Sequence, residues 1–475
     1  MKWETVIGLE VHAELSTNTK IFCGCPTDFG ARPNTQVCPV CSGMPGALPR
    51  LNRAVVDYAL KLGLSLGCDI TRHTTFDRKN YTYPDLPSAY QTTQFYFPIC
   101  RGGSVEIEVR GEKKSVGIHQ IHMEEDAGKL IHDPKNGQTY MDFNRSSMPL
   151  LEIVSKPDMR SAEEVIAYLE RLRETLLYLG ICDCKMQEGS FRVDVNLSIR
   201  PPGGEDGTRT ETKNINSFKA ITRAIEYETA RQIEVLSEGG KIVQETRRWD
   251  DDLGESYGMR SKENAQDYRY FPDPNIPPVI IDEAWLAKTK SELPELAHEK
   301  RARYVKNFGV TPTEAVVLTN HKNISDLFET LAEKTNETAE SAHLITGEIM
   351  RLLNATGTLP EDLKIDADKL ASLIGLVLGG KINRNAYKET VEAVFLHNTD
   401  PMEYIEEHGL MMVSDSGAVE GIVAEVMKDN PGAVEDYRAG KQQAFGFLVG
   451  QVMKKLAGAG NPAVVREVLE KAIKQ

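Results

Sequence analysis

The sequence contains no run of about 18 apolar residues, which excludes an expected membrane-spanning helix. It has no apolar signal region either. Met1-Lys2-Trp3-Glu4-Thr5 leads straight into an alternating stretch, so the chain is expected to be intracellular and cytoplasmic. No GxxxxGK[ST] occurs, which excludes a P-loop, and the kinase signature set is absent. There is no GxSxG, and Ser146-Ser147 lacks the glycine-rich frame of a serine nucleophile. No repeat of about 20–50 residues and no low-complexity tract is present. Positive charge is in short supply: Lys and Arg number 56 against 70 Asp and Glu, a net charge of −14. Proteins that meet nucleic acid through broad charge attraction are usually basic, so such a partner here needs a local patch. A nucleotide would have to be held by metal and by polar groups on strand faces.

What is present has an ordinary globular composition, 40% hydrophobic and 27% charged over 475 residues, enough for two or three domains. Short alternating strands and proline-rich turns dominate up to about residue 293, and helical patterns take over beyond it. This predicts an α+β protein: a strand-rich N-terminal body over 1–293, a helical domain over 294–405 and a small helical tail over 406–475. The expected joints are Ser291-Glu292-Leu293-Pro294-Glu295-Leu296 and, more weakly, Asn398-Thr399-Asp400-Pro401.

The stretch Val6 to Leu15 alternates with the period of a strand. Ile7, Leu9, Val11, Ala13 and Leu15 point to a core, while Glu10, His12 and Glu14 share the other face. That face can bring a carboxylate and an imidazole to one ion or one phosphate, or simply meet water. Within residues 21–49, Cys23-Gly24-Cys25 and Cys38-Pro39-Val40-Cys41 are separated by twelve residues. In a reducing compartment two such pairs predict a closed four-thiolate structural zinc site. Its task would be folding, because no open position remains for chemistry.

Residues 51–66 carry the apolar spacing of an amphipathic helix. Phe76 to Gln91, with two prolines and three tyrosines, predicts a rigid presenting loop. In it Lys79 suits a phosphate or carboxylate, and Asn80 and Tyr81 suit a nucleotide or substrate. A hairpin is expected from Val105–Val109 and Ser115–Ile121 around Gly111-Glu112-Lys113-Lys114. Its second strand runs into His122-Met123-Glu124-Glu125-Asp126, adjacent acids that repel unless a cation holds them. Hard carboxylate oxygens favour Mg²⁺. Glu152, among Leu150, Leu151, Ile153 and Val154, needs a cation or a hydrogen-bonding network if buried. A helix is expected from Ser161, its N-cap, to Leu179 before Gly180. Phe191 to Arg200 is the cleanest alternation, with Arg192, Asp194, Asn196 and Ser198 on its polar face. Glu211 to Phe218, with Lys213, then leads into another helix.

No acidic residue occurs from Tyr437 through Arg466, where Arg438, Lys441, Lys454 and Lys455 lie. This window predicts either a patch for an RNA backbone or cationic capping of helix C-termini.

These stretches together resemble the B subunits of aspartyl/glutamyl-tRNA amidotransferases, of the bacterial type. The matching runs are IGLEVHAEL at 7–15, DRKNYTYPDLPSAYQ at 77–91, HMEEDAGK at 122–129, NRSSMPLLEIVSKPD at 144–158, KNINSF at 213–218, QETRRWD at 244–250, MRSKE at 259–263 and DYRYFPDPNIPP at 267–278. YRAGKQQAFGFLVGQVMK at 437–454 is similar to the family's C-terminal domain. The resemblance implies a strand-rich catalytic cradle and helical domains that meet tRNA. It implies two partner chains, an amidase and a small third protein, with ammonia passed from the amidase. It implies ATP- and Mg²⁺-dependent activation of the side-chain carboxylate of Glu-tRNA(Gln) or Asp-tRNA(Asn), then amidation. Glu10, His12 and Glu125 match the family's Mg²⁺ positions, and Lys79 a residue near the ammonia exit. Ser147 stands where the family usually has Gly, and Asn275 where Asp is common. Two rival readings are a tRNA-docking subunit without chemistry and a metal-dependent ligase acting on a small free acid.

Overall fold

A computed structural model describes residues 2–261, 268–412, 416–456 and 460–474. The side chains of Arg260 and Ser261 and all of Lys262 and Glu263, from the quoted run at 259–263, lie outside the described residues, as does Asp267. The chain divides into two compact units, Met1–Leu296 and Ala297–Gln475.

The first unit is organised on one large, mostly antiparallel sheet. Its central strand is Glu4–Glu14, flanked by Pro149–Ser155 on one side and Phe191–Arg200 on the other. Beyond Pro149–Ser155 comes Glu112–Glu125, and beyond Phe191–Arg200 come Thr210–Ile215, Glu245–Asp250 and Glu255–Ser261. One pairing, Thr210–Ile215 with Glu245–Asp250, is parallel. The alternation read from the sequence fixes what each face holds. Ile7, Leu9, Val11, Ala13, Ile121, Met123, Leu151, Ile153, Val193 and Val195 are buried on one face. The helices Arg53–Ser65, Ala162–Leu179 and Phe218–Ser237 pack against the sheet. Ser161 caps the second of these by accepting from Glu164 N, and Gly180 ends it at φ 66°, as its sequence predicts.

Two local expectations change. The hairpin turn is tighter than the sequence suggested: Val109 pairs directly with Glu112, leaving Arg110 and Gly111 at φ 54° and 81°. Two successive left-handed residues match the right-handed twist of the strands they join. Phe76 to Gln91 is not a loop throughout. Asp77–Asn80 and Tyr90–Thr93 pair as strands, and Phe271–Pro272 adds to Asp77–Asn80. Long-range pairing makes a strand of a segment whose own residues are too polar to announce one.

The second unit is helical. One core gathers Phe328, Leu331, Ile345, Leu373, Val391 and Ile405. A separate one gathers Val423, Leu448, Val452, Val465 and Leu469. The helix Gln442–Lys455 buries Leu448 and Val452, the inward face its spacing predicts.

Candidate active site

Register across four strands builds the site. His12 lies opposite Glu152 on one neighbour and Arg192 on the other, and Glu152 lies opposite His122. All four therefore share one face, with Glu124 two residues beyond His122. His12 Nε2 lies 3.4 Å from Glu152 Oε2 and 3.7 Å from Glu124 Oε1. His122 Nε2 lies 3.1 Å from Glu152 Oε2 and 3.7 Å from Glu124 Oε2. Burial opposes charge on both imidazoles, but Glu152 and Glu124 outweigh it. His12 is raised to about 9 and His122 to about 10. Burial likewise opposes the Glu152 carboxylate, and the two histidines more than offset this, holding it well below its ordinary value. The cation or hydrogen-bonding network that a buried Glu152 calls for thus begins with the two imidazoles beside it. His122 Nδ1 is buried without a hydrogen-bond partner.

A second group adjoins the first along the same face. Glu10 lies opposite Asp194, and one ligand atom each from Glu10, Asp194 and Glu211 falls within 4.8 Å of the others. Lys213 pairs with Asp194, and at 3.0 Å with Glu211. Asn196 Nδ2 donates to Glu10 Oε1 at 3.0 Å, while its Oδ1 is buried and unpartnered. Burial, then the charges of Glu152 and Glu211, raise the Glu10 carboxyl. At the end of the row Arg192 Nη1 meets Asp126 Oδ2 at 2.7 Å and Glu14 Oε1 at 3.2 Å. Glu14 is raised to about 8 by burial and by Asp126.

Glu10, His12 and Glu125 do not gather round one point. The groups that converge within 4.8 Å are His12 with Glu124 and Glu152, and Glu10 with Asp194 and Glu211. The reason is the two-residue period of a strand: Glu125 follows Glu124 and projects to the opposite face. There its Oε2 accepts from Ser147 Oγ at 2.5 Å, and its Oε1 from Thr92 N at 2.9 Å. Burial raises the Glu125 carboxyl, and those two donors pull against it. Glu125 lines a cavity of about 260 Å³ with Arg78, Tyr90, Thr92, Ser147 and Asp273.

Lys79 and Asn80 sit on the strand Asp77–Asn80. The Lys79 ammonium lies 4.8 Å from the Tyr268 ring centroid and 5.7 Å from that of Tyr81, a favourable placement for a cation. Asn80 Nδ2 donates to Arg269 O at 2.8 Å, so its amide is occupied in fastening the 268–269 segment. Burial and then the Glu124 carboxylate push the Tyr81 hydroxyl up.

His122 and Glu211 also belong to these charged groups and take no role from the sequence, while Glu14 and Asp126 lie on the face and in the acidic run that it does single out. The parity of Glu112–Glu125 would have found His122, two residues from Glu124. Nothing local marks Glu211, which arrives through register with Asn196.

The four cysteines converge. All four Sγ atoms lie within 4.8 Å of one another, with Cys41 Sγ 4.0 Å from Cys25 Sγ and 3.9 Å from Cys38 Sγ. Tetrahedral Zn–S bonds of about 2.3 Å place sulfurs about 3.8 Å apart, so the cage fits structural zinc. Lys20 Nζ lies 3.6 Å from Cys41 Sγ. Cys41 is lowered to about 4, chiefly by the Cys23 thiol, with Cys38 N–H and Lys20 contributing.

The acid-free C-terminal window is not acid-free in space. Lys455 pairs with Glu425 at 3.1 Å and Asp429 at 2.9 Å, and Lys441 with Asp436 at 2.8 Å. Arg438 donates to Ile473 O at the end of the last helix, the capping role that the sequence left open. Lys454 is exposed.

Comparison with known proteins defines the class first. Residues 5–287 match the GatB/GatE catalytic domain and residues 326–473 the GatB domain. The chain belongs to the GatB/GatE family. Among its relatives is the B subunit of the aspartyl/glutamyl-tRNA(Asn/Gln) amidotransferase of Lachnoclostridium phytofermentans, 56% identical over 472 residues and 99% of each chain. The proteins of the same name from Lachnospira eligens and Caldicellulosiruptor bescii are 53% and 50% identical, over 99% and 100% of each chain. Among the described residues no helix is long and apolar enough to cross a membrane.

Proposed function

We propose that this chain is the component of a cytoplasmic tRNA-dependent amidotransferase that activates and amidates the side-chain carboxylate of Glu-tRNA(Gln), Asp-tRNA(Asn) or both. An amidase partner supplies ammonia from glutamine, and a small third protein completes the complex. The observation that carries this is the row of mostly half-buried ligating groups on one sheet face. His12, Glu124 and Glu152 form one cluster, and Glu10, Asp194 and Glu211 the next. The donor set suits Mg²⁺, because hard oxygens predominate and buried acids with raised or opposed charges need a cation. ATP with Mg²⁺ supplies the phosphoryl group that turns the carboxylate oxygen into a leaving group.

The chain's own residues orient and neutralise. Lys213 and Arg192, each already between two carboxylates, are cations that this face offers to phosphate oxygens. Asn196 offers an unpartnered buried oxygen beside Glu10. Tyr81 and Asn80 border the substrate side, and Lys79 lies by the tyrosines at its edge. The Glu125 cavity, on the other face, is the way in for ammonia. Ammonia's lone pair forms the C–N bond as the bond to phosphate breaks. The proton released leaves with the departing phosphate, while Glu125 lines the cavity from which ammonia comes. Zinc occupies the four-cysteine cage. The tail meets tRNA through Lys454, with Arg438, Lys441 and Lys455 as secondary contacts.

The test is ATP-dependent amidation of Glu-tRNA(Gln) and Asp-tRNA(Asn) by this chain, with and without its amidase partner. ADP release should depend on the charged tRNA, and amide formation from glutamine on the amidase. With Glu152→Gln, tRNA affinity should persist while ADP release is lost. Loss of tRNA binding with ADP release intact would make the chain a docking subunit instead.

A further inference from the structure

The cavity at Glu125 has two kinds of wall. One is strand, with Arg78, Tyr90 and Thr92. The other is the four-cysteine loop itself, which contributes Val40, Gly43 and Met44 among others. The loop is tied to the cavity floor as well as laid against it. Ser146 Oγ donates to Cys41 O at 2.9 Å, inside the protein. Ile21 N donates to Ser147 O at 3.1 Å. Lys20 Nζ bridges Cys41 Sγ at 3.6 Å and Phe143 O at 3.3 Å. These ties hold Ser147 at φ 62°, a left-handed conformation that a non-glycine residue keeps only when its surroundings impose it. Ser147 in turn donates to Glu125. At the loop's outer end Gly43, at φ 66°, approaches so closely that a Cβ there would lie 2.8 Å from Pro87 C. The loop is thereby seated against the backbone that leads to Ser88 and Tyr90.

We propose that the four-cysteine loop, as one wall of the Glu125 cavity, limits its access to bulk water, so that metal in its cage sets how much ammonia reaches the activated carboxylate. This rests on the reading of that cavity as the way in for ammonia. In neutral water ammonia is mostly ammonium, which has no lone pair with which to attack. A wall that opens lets ammonia take up a proton and lets water reach the activated ester. Among the described residues the cage is the only covalent or coordinate crosslink on offer to the loop, since four thiols without metal are joined by nothing stronger than weak hydrogen bonds. Zinc in this place is then a coupling device as well as a staple for the fold.

The test uses the complete complex with its amidase, carrying Cys25→Ser or Ser146→Ala. The first weakens the cage. The second leaves all four cysteines and Glu125 in place and cuts one tie to the floor. With glutamine as donor, amide formed per ADP released should fall about fivefold or more in both, with ADP release within about twofold of wild type. Backbone amides over 144–148 should exchange about tenfold faster in both variants, and in the wild-type complex once zinc is removed. An unchanged amide-to-ADP ratio in Ser146→Ala, or unchanged exchange after zinc removal, overturns the proposal and leaves the cage a staple. If Cys25→Ser does not fold, Ser146→Ala and the zinc-free wild type decide. Absence of tRNA-dependent ADP release in the wild-type complex would instead defeat the underlying reading of the site.

Discussion

Glu124 and Glu125 are neighbours in sequence and belong to different chemistry. Glu124 faces two imidazoles and Glu152 across the polar face of the sheet. Glu125 faces a serine hydroxyl, a backbone N–H and a small cavity on the other side. The same side chain is a ligand candidate in one place and a hydrogen-bond acceptor in the other, because one residue of register separates the faces of a strand. On the proposed function, activation and transfer, the two halves of amidation, draw on residues from opposite sides of one strand.

The largest expected effect separates these halves. Glu124→Gln should reduce ADP release by about 10²–10³-fold. Glu125→Gln should leave ADP release near wild type and lower amide formation instead, read as amide per ADP in the complete complex. If both substitutions abolish ADP release equally, the two faces are one site and the comparison breaks.

A smaller effect concerns the polar face without metal. His12 and His122 are raised from 6.5 to about 9 and about 10, burial opposing their charge and Glu152 and Glu124 more than offsetting it. Groups raised on folding contribute stability that is fully present below their unfolded pKa and is lost as pH climbs through the folded one. The melting temperature of chelator-treated protein should therefore fall by about 5 °C or more between about pH 7 and about pH 10. Glu152→Gln should flatten that fall. A melting temperature that does not change over this range would mean the imidazoles are neutral.

The smallest effect lies in the tail. Lys454→Ala should weaken tRNA binding uniformly and lower the salt slope by about 1. Lys455→Ala should do less, because Glu425 and Asp429 already hold that ammonium. Equal losses, measured as affinity across salt concentrations, would make the whole basic window a single patch.

What the sequence could and could not tell follows the same physics. Phe191–Arg200 was legible to the residue because alternation is local and one face is buried. The cysteine cage was legible because its spacing carries its geometry. The Glu10, His12 and Glu125 grouping did not survive, since resemblance gives positions and only strand parity gives faces. Glu211 joins Glu10 and Asp194 through pairing of distant strands, which no local window contains. Lys79 and Asn80 looked like loop residues because their strand depends on Tyr90–Thr93 and Phe271–Pro272. Lys455 looked free because its acids lie some 26 and 30 residues earlier in the chain.

The central claim is that the imidazole and carboxylate row takes a divalent cation for activation. Electron paramagnetic resonance of Mn²⁺ titrated into the full chain tests it most directly. Mn²⁺ should bind the wild type, be displaced by Mg²⁺, and be lost in Glu152→Gln while zinc content stays the same. Mn²⁺ binding that is undiminished in Glu152→Gln and in Glu10→Gln would contradict it.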